Sequence, residues 1–169
     1  MKKSILHITI FISFVFLFSA CEKDEICIEE TTPRLIIRFF DKDDPDELKV
    51  VTNIRVEIDG IDDVFINESI TVFTDSISIP IKVTEDLTKF KLILNGSDSD
   101  ELNDNEDVFD LIYTREDVYV SRSCGFKTIF FDAITRLEAE SDNWIFAIET
   151  IKNPQDILNQ QSAHVKIFH

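Results

Sequence analysis

Three cysteines, two clusters of carboxylates and two late histidines are the residues of this chain whose types and spacing could do chemistry. Cys21 carries the most specific pattern. Lys2 and Lys3 form a positive start, Ile5 to Phe18 form an apolar run, and small residues Ser19 and Ala20 stand directly before the cysteine. A signal peptidase reads that order, and cleavage before Cys21 leaves its thiol at the new N-terminus, ready to take a lipid. The apolar run is about 14 residues long, short of the roughly 20 that cross a bilayer. A membrane span, or secretory cleavage that leaves Cys21 a free thiol, are the other readings of the same residues. Phe18 is larger than the usual occupant of its place. The sequence predicts a signal peptide over residues 1–20, lipidation at Cys21, a tether over 21–32 and one domain over 33–169.

Cys27 and Cys124 remain. In an oxidising compartment they can pair, closing a loop of almost a hundred residues, or they can stand as two separate buried thiols. No histidine lies near either in sequence, so neither reads as a catalytic nucleophile. Removing residues 1–20 takes two lysines and no acid, leaving 15 basic and 33 acidic residues, a net charge of −18. Such a field repels phosphate backbones, which excludes nucleic acid as a partner. It repels anionic headgroups too, so the lipid must hold the protein at the membrane. Calcium or a basic protein would be attracted.

The first acidic cluster is Asp41, Asp43, Asp44, Asp46 and Glu47, interrupted by Lys42 and Pro45. Calcium takes six to eight oxygen ligands, but this loop lacks a glycine for a sharp turn and reads as a solvated acidic turn. The second runs from Asp98 to Asp107, with Asp98, Asp100, Glu101, Asp104, Glu106 and Asp107. Counted as a helix–loop–helix calcium site it fails, because Leu102 and Phe109 fall on ligand positions. Asp98, Asp100, Asp104 and Glu106 remain weak candidates for a looser calcium site, and otherwise the stretch is a mobile acidic excursion. No cofactor is expected.

Enzymatic chemistry finds little here. The mature chain has only His164 and His169, and no serine-nucleophile, phosphate-loop or zinc-protease motif occurs. Paired carboxylates could hydrolyse glycosides, yet 33 acids nominate no pair. The expectation is a non-catalytic protein. Trp144, Tyr113 and Tyr119 are the only Trp and Tyr, a thin supply for stacking on sugars. Trp144 would share a strand face with Phe146 and Ile148 and pack in the core.

Most of the mature chain alternates apolar and polar residues with the period of a half-buried strand. Ile54, Val56 and Ile58 form one such run, and Asp59-Gly60 turns it back along Ile61 to Ile66. Ile77, Ile79, Ile81 and Val83 form another, which Pro80 confines to a sheet edge. Phe90, Leu92 and Leu94 form a third, ended by Asn95-Gly96. Leu35–Phe40, Val108–Thr114, Val118–Ser121, Phe126–Asp132, Asn143–Ile151 and Ala163–Phe168 complete the set. Asn153-Pro154 starts one short helix through Leu158 or Gln161, or is a loop. About nine short strands without a long amphipathic helix predict an antiparallel β-sandwich, with a small barrel as the alternative.

Several segments carry resemblances. Lys23-Asp24-Glu25 looks like the acidic tag that exports many Bacteroidetes lipoproteins to the cell surface; a plain polar tether would look similar. Asp75-Ser76-Ile77 resembles the short O-glycosylation sequon of that phylum, with Ser76 as acceptor. The runs Cys21 to Cys27, Thr31-Thr32-Pro33-Arg34-Leu35-Ile36-Ile37-Arg38-Phe39-Phe40-Asp41, Tyr113-Thr114-Arg115 and Val120 to Lys127 together resemble a family of Bacteroidetes lipoproteins, a domain of unknown function. That resemblance implies an envelope compartment, lipid-anchored at the outer membrane on its periplasmic face or the cell surface. It supplies no functional residues. The expected role is a protein-binding or structural envelope module with a protein partner, and the alternative is a calcium- or glycan-binding module.

Overall fold

The computed structural model describes residues 26–28, 31–60, 73–96, 101–151 and 156–169. Its strands are β1 (Leu35–Phe40), β2 (Val51–Thr52), β3 (Arg55–Ile58), β4 (Phe73–Thr74), β5 (Ser76–Ile79), β6 (Leu87–Leu94), β7 (Asn105–Ser121), β8 (Gly125–Leu137), β9 (Ala147–Thr150) and β10 (Val165–Phe168). Among the described residues the one helical piece is a 3₁₀ turn at Glu101–Asn103.

Two four-stranded sheets, ordered β5-β1-β10-β9 and β3-β6-β7-β8, carry the fold, with β2-β4 as a small addition. Neither large sheet closes on itself, so the sandwich holds and the barrel alternative falls. The alternation explains the layers. Leu35, Ile37, Phe39, Ile77, Ile79, Val165 and Ile167 come from one sheet, and Val56, Ile58, Phe90, Leu92, Phe109, Leu111 and Phe130 from the other; together they form one buried core. Phe90 stacks on Phe109 at 5.0 Å, and Tyr113 meets Phe130 edge-on at 5.1 Å.

The sheets are not wholly antiparallel. β1 lies parallel to β10, with Ile37 opposite Val165 and Phe40 opposite Phe168. β5 pairs antiparallel with β1 on its far side and is the sheet's edge, as Pro80 requires. Asp59-Gly60 does form a turn, with Gly60 at φ +74°. Among the described residues β3 pairs antiparallel with β6; the return expected along Ile61 to Ile66 lies outside the described residues.

Val108–Thr114 and Val118–Ser121 are one continuous strand, β7, rather than two. The polar stretch Arg115-Glu116-Asp117 between them has no apolar alternation to show, yet it keeps its ladder to β8. β7 and β8 run past the end of β6, whose pairing stops at Leu87 opposite Ile112, and so form a two-stranded ribbon. A bulge, with a register shift between Ile112 and Thr114 and Asp132 at φ 52°, marks where the ribbon leaves the sheet. Only Ala147–Thr150 of the Asn143–Ile151 run is strand, because the residues before it fold as a loop against β7. Of the helix expected from Asn153-Pro154, residues 152–155 lie outside the described set. Residues 156–161 are not helical, and Ile157 instead bridges to Phe130.

The outer edge of β8 is occupied by three separate parts of the chain. The Thr128 N–H donates to Thr32 Oγ1 at 3.0 Å, and Phe130 exchanges backbone hydrogen bonds with Ile157. The Thr135 N–H donates to Thr150 Oγ1 at 3.1 Å. Phe130 lies where this edge meets the core, so Phe130→Ala is expected to cost about 3–5 kcal/mol. Urea unfolding followed by circular dichroism measures it, and an unchanged midpoint would contradict the packing.

Candidate functional site

The most distinctive construction is the end of the β7–β8 ribbon. Its turn is tightened by Ser121 Oγ, which accepts the Cys124 N–H at 3.1 Å, and Gly125 supplies a φ of +71°. Cys124 in this turn is bonded to Cys27, with Cα atoms 4.9 Å apart and a sequence separation of 97. Pairing therefore holds, and separate thiols do not. The stretch assigned to a tether over 21–32 is fastened from Cys27 onward, by the bridge at one point and by Thr32 at another. Beside the turn, Tyr119 and Phe126 face each other across the ladder with ring centroids 5.4 Å apart. Tyr119 is 55% exposed and Phe126 69%, while Ile26 and Ile28, on either side of Cys27, are 83% and 88% exposed.

Buried polar groups elsewhere hold loops in place. His164 Nδ1 accepts the Ile36 N–H at 3.0 Å, so its proton sits on Nε2, which donates to the Asn159 carbonyl at 3.0 Å. Burial pushes the His164 pKa down. His169 packs edge-on against Phe39 and Trp144, and burial lowers its pKa as well. Tyr113, whose hydroxyl donates to the Lys82 carbonyl at 2.7 Å and meets Thr88 Oγ1 at 2.7 Å, belongs to the core. Its pKa is raised by burial.

Asp107 lies on the buried face of β7 with Phe109 and Leu111, where sequence reading had placed it in an acidic excursion. Its Oδ2 accepts the Ile145 N–H at 2.8 Å, while Oδ1 makes no hydrogen bond of normal geometry. Burial raises its pKa against the lowering effect of that N–H and of Asn143. With Trp144 Nε1 donating to the Leu92 carbonyl at 3.2 Å, it pins the 138–146 loop. Trp144 thus packs against the core as expected, but Phe146 points to solvent, because the loop does not keep strand alternation. On the opposite face of β7, buried Asp110 pairs with Arg136 at 2.5 Å and Lys89 at 3.6 Å, and Lys89 also meets Glu138. Glu138 is the main reason the Lys89 pKa is raised. Its place at Phe109 − 2, in step with the apolar face, is the signal in the sequence that singles Asp107 out from its acidic neighbours.

Of the calcium candidates, Asp98 and Asp100 lie outside the described residues. Asp104 pairs with Arg55 at 3.4 Å and Glu106 with Lys91 at 3.1 Å. Among the described residues no three His, Cys, Asp or Glu side chains gather as a metal site. In the first acidic cluster, Asp41 Oδ1 accepts the Asp43 N–H at 2.7 Å, an Asx turn that, with Lys49, holds its carboxyl below the usual range. Ser76 opens edge strand β5 on the face opposite Ile77 and Ile79, half-buried. Cys21, Lys23, Asp24 and Glu25 lie outside the described residues. Among the described residues no helix is long and apolar enough to cross a membrane. A cleft of about 720 Å³ opens where β8 and β9 diverge, lined by Ile134, Thr135, Glu149, Thr150 and Lys166 among others.

The model of a family of unknown function, DUF6452, matches residues 47–169. The chain belongs to that family. The DUF6452 match takes in Tyr113-Thr114-Arg115 and the Val120 to Lys127 hairpin turn, but begins after β1 and so leaves out the Cys21 to Cys27 and Thr31 to Asp41 segments. No curated protein and no solved structure matches the chain.

Two outcomes test the buried groups. His164 binds fewer protons folded than unfolded between its lowered pKa and the usual value near 6.5. Its stabilising share is therefore complete above about 6.5 and lost as pH falls through the folded value. Urea midpoints should drop from pH 8 to pH 5.5, and less so in His164→Asn, with the residual drop belonging to His169. Equal drops would refute it. Asp107→Ala leaves the Ile145 N–H buried without an acceptor and should cost about 1–3 kcal/mol, whereas Asp107→Asn keeps the acceptor without a charge to desolvate and should cost less.

Proposed function

We propose that this chain is a non-catalytic, lipid-anchored envelope protein of the Bacteroidetes, its β-sandwich serving as a protein-binding or structural module at the outer membrane. The observation that carries the reading is the Cys27–Cys124 bridge. Disulfides persist outside the reducing cytoplasm, and the Lys2 to Cys21 leader is the matching export and lipidation signal. The absence of a catalytic role is supported by how the candidate acid–base groups are employed. Both His164 nitrogens serve backbone partners, and Asp110 is tied to two cations. At net −18 in the mature form, the favoured protein partner presents a basic surface.

A glycan- or calcium-binding module is the second reading. The cleft between β8 and β9, with two threonines, Glu149 and Lys166, gives a sugar hydroxyl somewhere to bind, although among the described residues no aromatic ring lines it. An oligosaccharide array and a calcium titration, each read by melting temperature, separate this from the first reading.

Intact mass of the protein purified from native membranes is the deciding measurement. The expected species starts at Cys21, carries acyl groups there and lacks two hydrogens for the bridge; sugar on Ser76 would appear in the same spectrum. A soluble species that retains Met1 would overturn the anchor. Reduction should lower stability by roughly 4–5 kcal/mol in the chain-entropy view of a loop this long, and Cys27→Ser should match the reduced protein. A melting temperature unmoved by either would contradict the staple.

A further inference from the structure

We infer that the end of the β7–β8 hairpin is a lipid-contacting surface, held against the bilayer by the Cys27–Cys124 bridge. The inference rests on the proposed acylation of Cys21 and deepens it, by naming the face that the anchored domain turns to the membrane.

The bridge decides where the anchor can be. Cys27 follows Cys21 by six residues, and six extended residues span at most about 20 Å. Because Cys27 is bonded to the hairpin turn, an acyl chain on Cys21 keeps that turn within about 20 Å of the lipid surface, whatever path the intervening residues take. Without the bridge, the leash would run to the next fastening point at Thr32 and the domain could tumble more freely.

The surface there suits a lipid interface. Tyr119, Phe126, Ile26 and Ile28 are all more than half exposed, and the two rings pair edge-on at the very end of the ribbon. Apolar side chains so exposed gain by entering the acyl boundary, and a tyrosine keeps its hydroxyl among the headgroups. Residues 118–131 contain no aspartate or glutamate, in a chain with 33 of them, and do contain Arg122 and Lys127. The hairpin itself therefore brings no carboxylate to the interface, while the Cys27 segment bonded to it does, with Glu25, Glu29 and Glu30 in its sequence, so apolar contact and the lipid anchor rather than charge hold this end at the bilayer.

Acylated full-length mature protein carrying Phe126→Trp, reconstituted in 3:1 phosphatidylethanolamine–phosphatidylglycerol vesicles with brominated acyl chains, tests this. The parent, whose sole tryptophan is Trp144 against the core, supplies the baseline. Emission of the variant should shift to the blue and fall about twofold further than the parent's, as expected of an aromatic residue seated at the interface. The double variant Cys27→Ser/Cys124→Ser in the same background should still sediment with vesicles but return to parent-level quenching. An acylated, vesicle-bound variant that quenches no more than the parent overturns the inference while leaving the anchor intact. Quenching that survives loss of both cysteines overturns the role of the bridge. An unacylated mass removes the anchor and the inference together. A blue shift without lipid that grows with protein concentration assigns the patch to a second copy of the chain and overturns lipid contact.

Discussion

The parallel ladder between β1 and β10 is the contact on which the sandwich depends. β1 is the central partner of β5 on one side and β10 on the other, and β10 in turn carries β9. Remove the β1–β10 pairing and its sheet separates into two isolated hairpin-like pairs, each too small to be stable alone. His164 extends the same ladder with its side chain, accepting from Ile36 one residue before β10 begins. The pairing joins residues about 130 apart, a high-contact-order closure that pays off only once the rest of the core is assembled. The family match begins at residue 47, after β1, so it takes in only one partner of this ladder.

Much of this was legible in the sequence. Period-two alternation located β1, β3 and β10 to within a residue or two, found β6 but not its first residues, and carried β5 four residues too far, to Val83 instead of Ile79. Pro80 placed β5 at an edge for the same reason it always does: it has no N–H to give. The fold class followed from strand count and turn chemistry. Pairing partners did not. Nothing local to β3 names β6 as its partner, yet Val56 lies opposite Leu92 and Ile58 opposite Phe90 across a long interval.

The parts that escaped share a cause. Arg115-Glu116-Asp117 belongs to a strand held by cross-strand hydrogen bonds and by Arg115 with Asp86, not by apolar alternation, so nothing in its composition distinguishes it from a loop. Asp107 was counted with its acidic neighbours because its function is to accept a backbone N–H from a segment 38 residues later. Phe146 was placed inside because a strand was assumed where the chain loops. In each case a long-range partner decides the outcome, and long-range partners are what a local pattern cannot contain.

The occupied rim of β8 bears on how copies of this chain meet one another. Where copies of a β-protein meet, an open row of strand amides recruits another chain. Here Thr32, Ile157 and Thr150 already take the outward hydrogen bonds of β8, and Pro80 interrupts the row beyond β5. The rim of β8 therefore offers a second copy little template for sheet-to-sheet growth, and the row beyond β5 stops at Pro80.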